Sequence, residues 1–260
     1  MTSLLKLTNY IKNAINIMKN NKILFDCICG SHAYNLTTPT SDYDHRRVVT
    51  PTDFSYFFGL NTFDVGNVIT TKEEDNTDYS LKKFTQLAMR ANTVMLEMLF
   101  IPDDCILEIH PLFEKYFLNN RERFVTKNLY HVVKGYAGSE HRRALGETSR
   151  KLGARRKNDV ETMGYSPKNA SHCIRLLKAS TEALTTGVFK VKWFGFDHDL
   201  LLMLKTGLID LEGYLALYKK SLEDFNAAYM KSKLPERHDA AFFNELLVGF
   251  YCEMFKIKMF

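Results

Sequence analysis

Residues 30 to 47 read Gly30-Ser31-His32-Ala33-Tyr34-Asn35-Leu36-Thr37-Thr38-Pro39-Thr40-Ser41-Asp42-Tyr43-Asp44-His45-Arg46-Arg47. The apolar run from Lys22 to Cys29 delivers the chain to a Gly-Ser turn, where backbone N–H groups and the Ser31 hydroxyl can hold phosphate oxygens. Ten residues separate Ser31 from Asp42. On an extended strand Asp42 and Asp44 share a face, roughly 7 Å apart. Two carboxylates beside bound phosphates either repel each other or share cations. A hard divalent ion is the natural answer, because Mg²⁺ takes one or two carboxylates together with substrate phosphates. The layout suits two-metal phosphoryl chemistry, in which one ion activates an attacking hydroxyl and the other neutralises a triphosphate and the departing pyrophosphate.

A third carboxylate normally completes such a site and helps to deprotonate the hydroxyl. Asp78 is the candidate, because it sits on a short predicted strand just before a helix; Asp75 comes next, then Glu73 and Glu74. Arg46 shares strand parity with Asp42 and Asp44, whereas Arg47 points the other way. Further along, Lys168, His172 and Arg175 fall at i, i+4 and i+7 and so form one cationic row on a helix. Such a row can hold a triphosphate or an RNA backbone, with Arg best suited to bidentate phosphate contact. The plain alternative is a solvated face.

These residues resemble a known family. A Gly-Ser pair followed after ten residues by Asp-x-Asp is the signature of the DNA polymerase β-like nucleotidyltransferase superfamily. The fuller pattern, Gly30-Ser31-His32-Ala33-Tyr34 with Thr38-Pro39-x-Ser41-Asp42-Tyr43-Asp44 and Arg46, is similar to the bacterial and phage branch of that superfamily placed in RNA repair. The resemblance extends through Ser80 to Phe84, Asn92, Leu96 to Pro102 and the helix bearing Lys168, His172 and Arg175. It covers roughly residues 22 to 190. Three positions depart from the branch: Asn35, Arg47 and Ala91 stand where glycine is common. The resemblance implies a nucleotidyltransferase that moves NMP from an NTP to an acceptor hydroxyl and releases pyrophosphate. It implies two Mg²⁺ or Mn²⁺ ions on Asp42, Asp44 and Asp78, with Gly30, Ser31, Arg46, Lys168, His172 and Arg175 on the nucleotide. An RNA end, with tRNA the most exposed candidate, is the expected acceptor. A protein or small-molecule acceptor and a non-catalytic RNA- or nucleotide-binding module are the alternatives.

Positioning these groups requires two kinds of element. Lys22–Cys29 and Asp42–Val49 read as strands, with short strand candidates at Val68–Thr71 and Thr77–Tyr79. Leu81, Phe84, Ala88, Ala91, Met95 and Met98 predict one long helix to about Phe100, capped by Ser80. Leu4 to Met18 predicts an amphipathic N-terminal helix. Beyond the Pro102–Pro111 punctuation, helices are predicted over 112–133, 167–186, 196–206, 211–230 and 239–255, while the glycine-rich stretch 135–164 is left irregular. The expected fold class is α+β: a small mixed-sheet domain over residues 1–105, then a helical domain over 106–260, with the nucleotide in the cleft between them.

With 260 residues and 45% apolar content, the chain can bury a substantial core. The net charge of +5 is mild, but Arg121 to Lys157 holds eleven Lys and Arg against three Glu, a candidate footprint for a polyanion. Trp193 with Phe189, Phe194 and Phe196 reads as core rather than a base-stacking surface. The five scattered cysteines read as reduced thiols. No membrane span or signal segment is visible, which sets the expectation of a cytoplasmic protein (the host cytoplasm if phage-encoded).

Overall fold

The structure is a computed structural model describing residues 21–39, 41–53, 55–58, 67–70, 74–147 and 153–257. The expected N-terminal helix lies outside the described residues. Strand β1 (Asn21–Cys29) buries Leu24, Phe25, Cys27 and Cys29 and runs into α1 (Gly30–Ala33). A turn in which Thr38 N–H donates to Ser41 Oγ at 2.9 Å leads through Asp42 into β2 (Tyr43–Pro51). A short helix α2 (Ser55–Phe58) occupies the aromatic stretch, followed by β3 (Asn67–Thr70) and β4 (Glu74–Ser80).

The predicted single helix after Ser80 is two: α3 (Leu81–Ala88) and α4 (Thr93–Leu99). Ser80 caps the first as expected, accepting from Lys83 N–H. Asn92 then starts a second helix by accepting from the N–H groups of Val94 and Met95, and Ala91 before it takes the left-handed conformation at φ 55°. An apolar period cannot reveal such a break, because both pieces keep the same buried side.

Next comes β5 (Ile106–Ile109), which pairs antiparallel with β1. The expected boundary between residues 105 and 106 therefore leaves the sheet's last strand on the wrong side of the division. The sheet is mixed, with order β3-β4-β2-β1-β5 and only β2 and β4 parallel. The helices that follow are α5 (Pro111–Tyr116), α6 (Asn128–Ala144), α7 (Ala154–Met163), α8 (Pro167–Thr186), α9 (Gly195–Thr206), α10 (Leu211–Lys231) and α11 (Ala240–Met254). The stretch read as irregular is thus largely α6 and α7. Gly135 and Gly138 sit inside α6, where packing outweighs their weak helix propensity.

One apolar core joins sheet to helices. Phe25 of β1 stacks on Phe113 at 4.9 Å, Phe113 on Phe117 at 5.1 Å, and Phe124 meets Phe243 of α11 at 4.3 Å. Helix α8 is the hub of the helical half: Ala170, Cys173, Ile174, Leu177 and Leu184 are all buried on it. Trp193 and Phe189 are core as read, whereas Phe194 and Phe196 are 64% and 80% exposed. Among the described residues no helix is long and apolar enough to cross a membrane, and the five cysteines are free.

Candidate active site

The strand–turn–strand motif folds onto itself. Gly30 has φ +64°, and a Cβ there would lie 1.9 Å from Asp44 Oδ2. Glycine is therefore required twice, for the backbone angle and because the Asp44 carboxylate occupies the space a side chain would fill. Asn35, at φ 60°, and Ala91 also hold left-handed backbone, so two of the three positions where the sequence departs from glycine need what glycine supplies most easily.

Gly30, Ser31, Asp42, Asp44 and Arg46 line a chamber of about 260 Å³ between the sheet and the helical half. Lys168, His172 and Arg175 face the same chamber from α8. The i, i+4, i+7 row is therefore a chamber wall. Its electrostatics differ from a cationic row. Arg175 is 1% exposed, donates from Nη1 to Glu97 Oε1 at 2.9 Å, and stacks over the Tyr34 ring at 3.6 Å. Tyr34 in turn donates to Glu97 Oε2 at 2.7 Å. Arg175 is committed to this buried pair, so the expectation that it grips phosphate is corrected: its charge is already met by Glu97.

His172 is corrected too. Arg175 can only donate, so His172 Nδ1 accepts from its Nη2 at 3.2 Å and the ring proton sits on Nε2, toward the Tyr136 hydroxyl oxygen at 3.2 Å. Burial, followed by the positive charges of Arg175, Lys168, Arg143 and Arg156, pushes its pKa down to about 3. The imidazole is neutral at physiological pH. Because the folded value lies below the unfolded one near 6.5, the unfolded chain binds more protons as pH falls, and His172 costs stability progressively below that point. We expect the His172 ring resonances not to titrate between pH 8 and 5, and His172→Gln to lessen the fall of the thermal midpoint on acidification. A His172 titration near 6.5 refutes this.

Asp78 lies elsewhere. In the parallel register Arg47 stands opposite Asp78 while Asp44 stands opposite Asp75. Asp78 is buried and accepts two bonds from Arg47, from Nε at 2.6 Å and from a terminal nitrogen at 3.0 Å. Paired residues share a face, so Asp78 belongs with Arg47 on the side of the sheet away from Asp44 and Arg46. The expectation that Asp78 is the third catalytic carboxylate is overturned by this register. Asp75 holds the position across from Asp44. Among the described residues no group of three or more His, Cys, Asp or Glu side chains gathers as a metal site.

Sequence reading missed Lys205 near the end of α9. Its Nζ donates to Ser31 Oγ at 2.9 Å and to the Leu36 carbonyl at 2.5 Å. Burial and then repulsion from Lys168 hold its pKa down, with Asp42 opposing. No local signal marks it; it is one lysine at the end of an apolar helix, brought to Ser31 across 174 residues. Tyr136 likewise went unmarked, and Tyr34 and Glu97 entered only as part of the resemblance, with no role.

Several described cations of the basic stretch are taken up by partners of their own. Arg121 and Arg123 lie over the rings of Phe100 and Phe242, Lys127 pairs with Glu236, and Arg143 with Glu140. Arg150 and Lys151 lie outside the described residues.

The model of the RNA repair pathway DNA polymerase beta family matches residues 7–191. The chain belongs to this family. Its members are polymerase β-like nucleotidyltransferases of RNA repair, and the match spans the Gly-Ser turn, the Asp-x-Asp strand and the whole of α8. Lys205 falls beyond it. The chain is also similar to an uncharacterized 38.9 kDa protein from the nrdC-mobD intergenic region of Enterobacteria phage T4. The two are 32% identical over 123 residues, which is 44% of this chain and 35% of the phage protein.

Proposed function

We propose that the protein transfers NMP from an NTP to an acceptor hydroxyl, with an RNA end as acceptor, and releases pyrophosphate. The observation that carries this reading is the chamber itself: the acids Asp42 and Asp44 share it with the Ser31 hydroxyl and Lys205. Ser31 Oγ and the Lys205 ammonium suit the β and γ phosphates, with Lys168 beside them. Arg46, on the strand face of the two acids, suits the nucleotide as well. The donor set of two carboxylates among hydroxyls fits a hard cation, Mg²⁺ or Mn²⁺, which when bound neutralises phosphate charge and activates an oxygen nucleophile. Asp75 takes the part first given to Asp78, accepting the proton of the attacking hydroxyl. The hydroxyl oxygen bonds to the α-phosphorus as the bond to the α–β bridging oxygen breaks.

The test is incubation of the protein with Mg²⁺ or Mn²⁺, each labelled NTP and total cellular RNA. Label on RNA supports the reading and names the nucleotide. Label on protein or a small molecule replaces the acceptor, and no transfer with tight nucleotide or RNA binding reduces the protein to a binding module.

Asp75 and Asp78 part company under mutation. Asp75→Asn is expected to lower transfer on the order of a hundredfold or more. Asp78→Asn is expected to cost about 2 kcal/mol of stability, since it breaks a largely buried bidentate pair, and to leave transfer within a few-fold. Denaturant midpoints and label incorporation on the two variants decide the assignment; the opposite pattern restores Asp78.

A further inference from the structure

Across Ser31, Asp42, Lys168 and Lys205 the chamber opens into a second, larger one of about 860 Å³. Asp44 and Arg46 line only the inner chamber, whereas Arg156 and Asp159 line only the outer. The shared wall gives the site a direction. Taking the transfer reading above, a donor whose α-phosphate lies at the two acids and whose tail is held at Ser31 and Lys205 points its terminal phosphates outward. In-line displacement then brings the acceptor hydroxyl from the opposite, Asp44 side. The outer chamber is left to the departing group.

Its chemistry matches that assignment. Among the described residues no carboxylate lies within ion-pair distance of Arg156 or Lys168, whereas Arg175 is paired with Glu97 and Lys205 is bonded to Ser31 and Leu36. Arg156, Asp159 and Met163 fall at i, i+3 and i+7 on α7, one face of a helix in which none of the described side chains is buried. Packing of α7 relies on contacts such as Met163, whose Cε lies 2.6 Å from where a Cβ on Gly207 would stand. What this helix contributes is therefore its chamber face, and Asp159 on that face opposes an anion, so that the anion is held without being trapped.

We propose that the outer chamber is the leaving-group compartment of the site, where Arg156, with Lys168 and Lys205, binds the diphosphate unit that departs as pyrophosphate. The bridging oxygen leaves with the electron pair of the broken bond, and the three cations meet the resulting charge. The acceptor's proton passes to the carboxylate on the opposite side.

The test is titration of inorganic pyrophosphate into the full chain and into Arg156→Ala and Arg156→Lys, with KM values for NTP and RNA measured alongside. Arg156→Ala is expected to weaken pyrophosphate binding roughly tenfold or more and to raise the KM for NTP. The KM for RNA and the thermal midpoint stay unchanged, and Arg156→Lys recovers part of the loss. Pyrophosphate affinity within twofold of wild type in Arg156→Ala overturns the proposal. A change confined to the KM for RNA overturns it too, because the chamber then serves the acceptor. A rise in the KM for NTP alone, with pyrophosphate binding intact, also overturns it, since the tail is then gripped only while attached. Should the wild type bind pyrophosphate through Arg156 yet transfer nothing to any acceptor, the anion site stands and the transfer reading falls.

Discussion

Asp44→Asn is expected to lower nucleotidyl transfer on the order of a thousandfold or more while leaving the fold intact. The amide keeps the shape of the carboxylate and so keeps its place over Gly30, where the Oδ2 atom sits 1.9 Å from a virtual Cβ. What it loses is the negative charge that, with Asp42, lets a divalent cation sit beside a triphosphate. Asp42→Asn should match it, because both acids line the same chamber. Label incorporation and a thermal melt together check this. More than a few per cent of residual transfer, in a variant that melts like the wild type, removes these acids from the chemistry. Shape matters separately: Gly30→Ala drives a methyl into the Asp44 carboxylate at a backbone angle that alanine rarely adopts.

The largest stability effect is expected at Glu97. Its carboxylate is almost wholly buried and accepts from Arg175 at 2.9 Å and Tyr34 at 2.7 Å. Burial raises the Tyr34 pKa well above its usual value, so the hydroxyl remains a donor throughout the physiological range. Glu97→Ala leaves a guanidinium that is 1% exposed without a counter-charge, a change that costs about 3–5 kcal/mol. The paired replacement Glu97→Leu with Arg175→Met removes both charges and should recover most of that loss. Urea midpoints for the three chains test the argument. If Glu97→Ala unfolds within about 1 kcal/mol of wild type, the pair is not what holds α4 to α8.

Much of the site was legible because it is local. Gly30 to Arg46 is one strand–turn–strand unit, and period-two alternation correctly separated Arg46, on the chamber side, from Arg47, on the other. The preference for Asp78 over Asp75 rested on its place on a short strand before a helix, and strand parity cannot be carried from one strand to the next until the register is known. In the β2–β4 pairing a shift of three residues decides which acid stands opposite Asp44. Arg47, which stands where glycine is common, meets Asp78 on the far side and pairs with it there.

The helix row shows the same division. Spacing placed Lys168, His172 and Arg175 on one face of α8, and that is their arrangement. Their charge states were not local properties. Glu97 lies 78 residues from Arg175, and Lys205 lies 174 residues from Ser31. Backbone chemistry and side-chain periodicity, which act over a few residues, were enough for the turn, the acidic strand, most helices and the α+β class. Burial, strand register and the pairing of distant charges exist only once the chain has closed on itself. Those terms made Arg175 structural and His172 neutral, took Asp78 out of the site and brought Lys205 in.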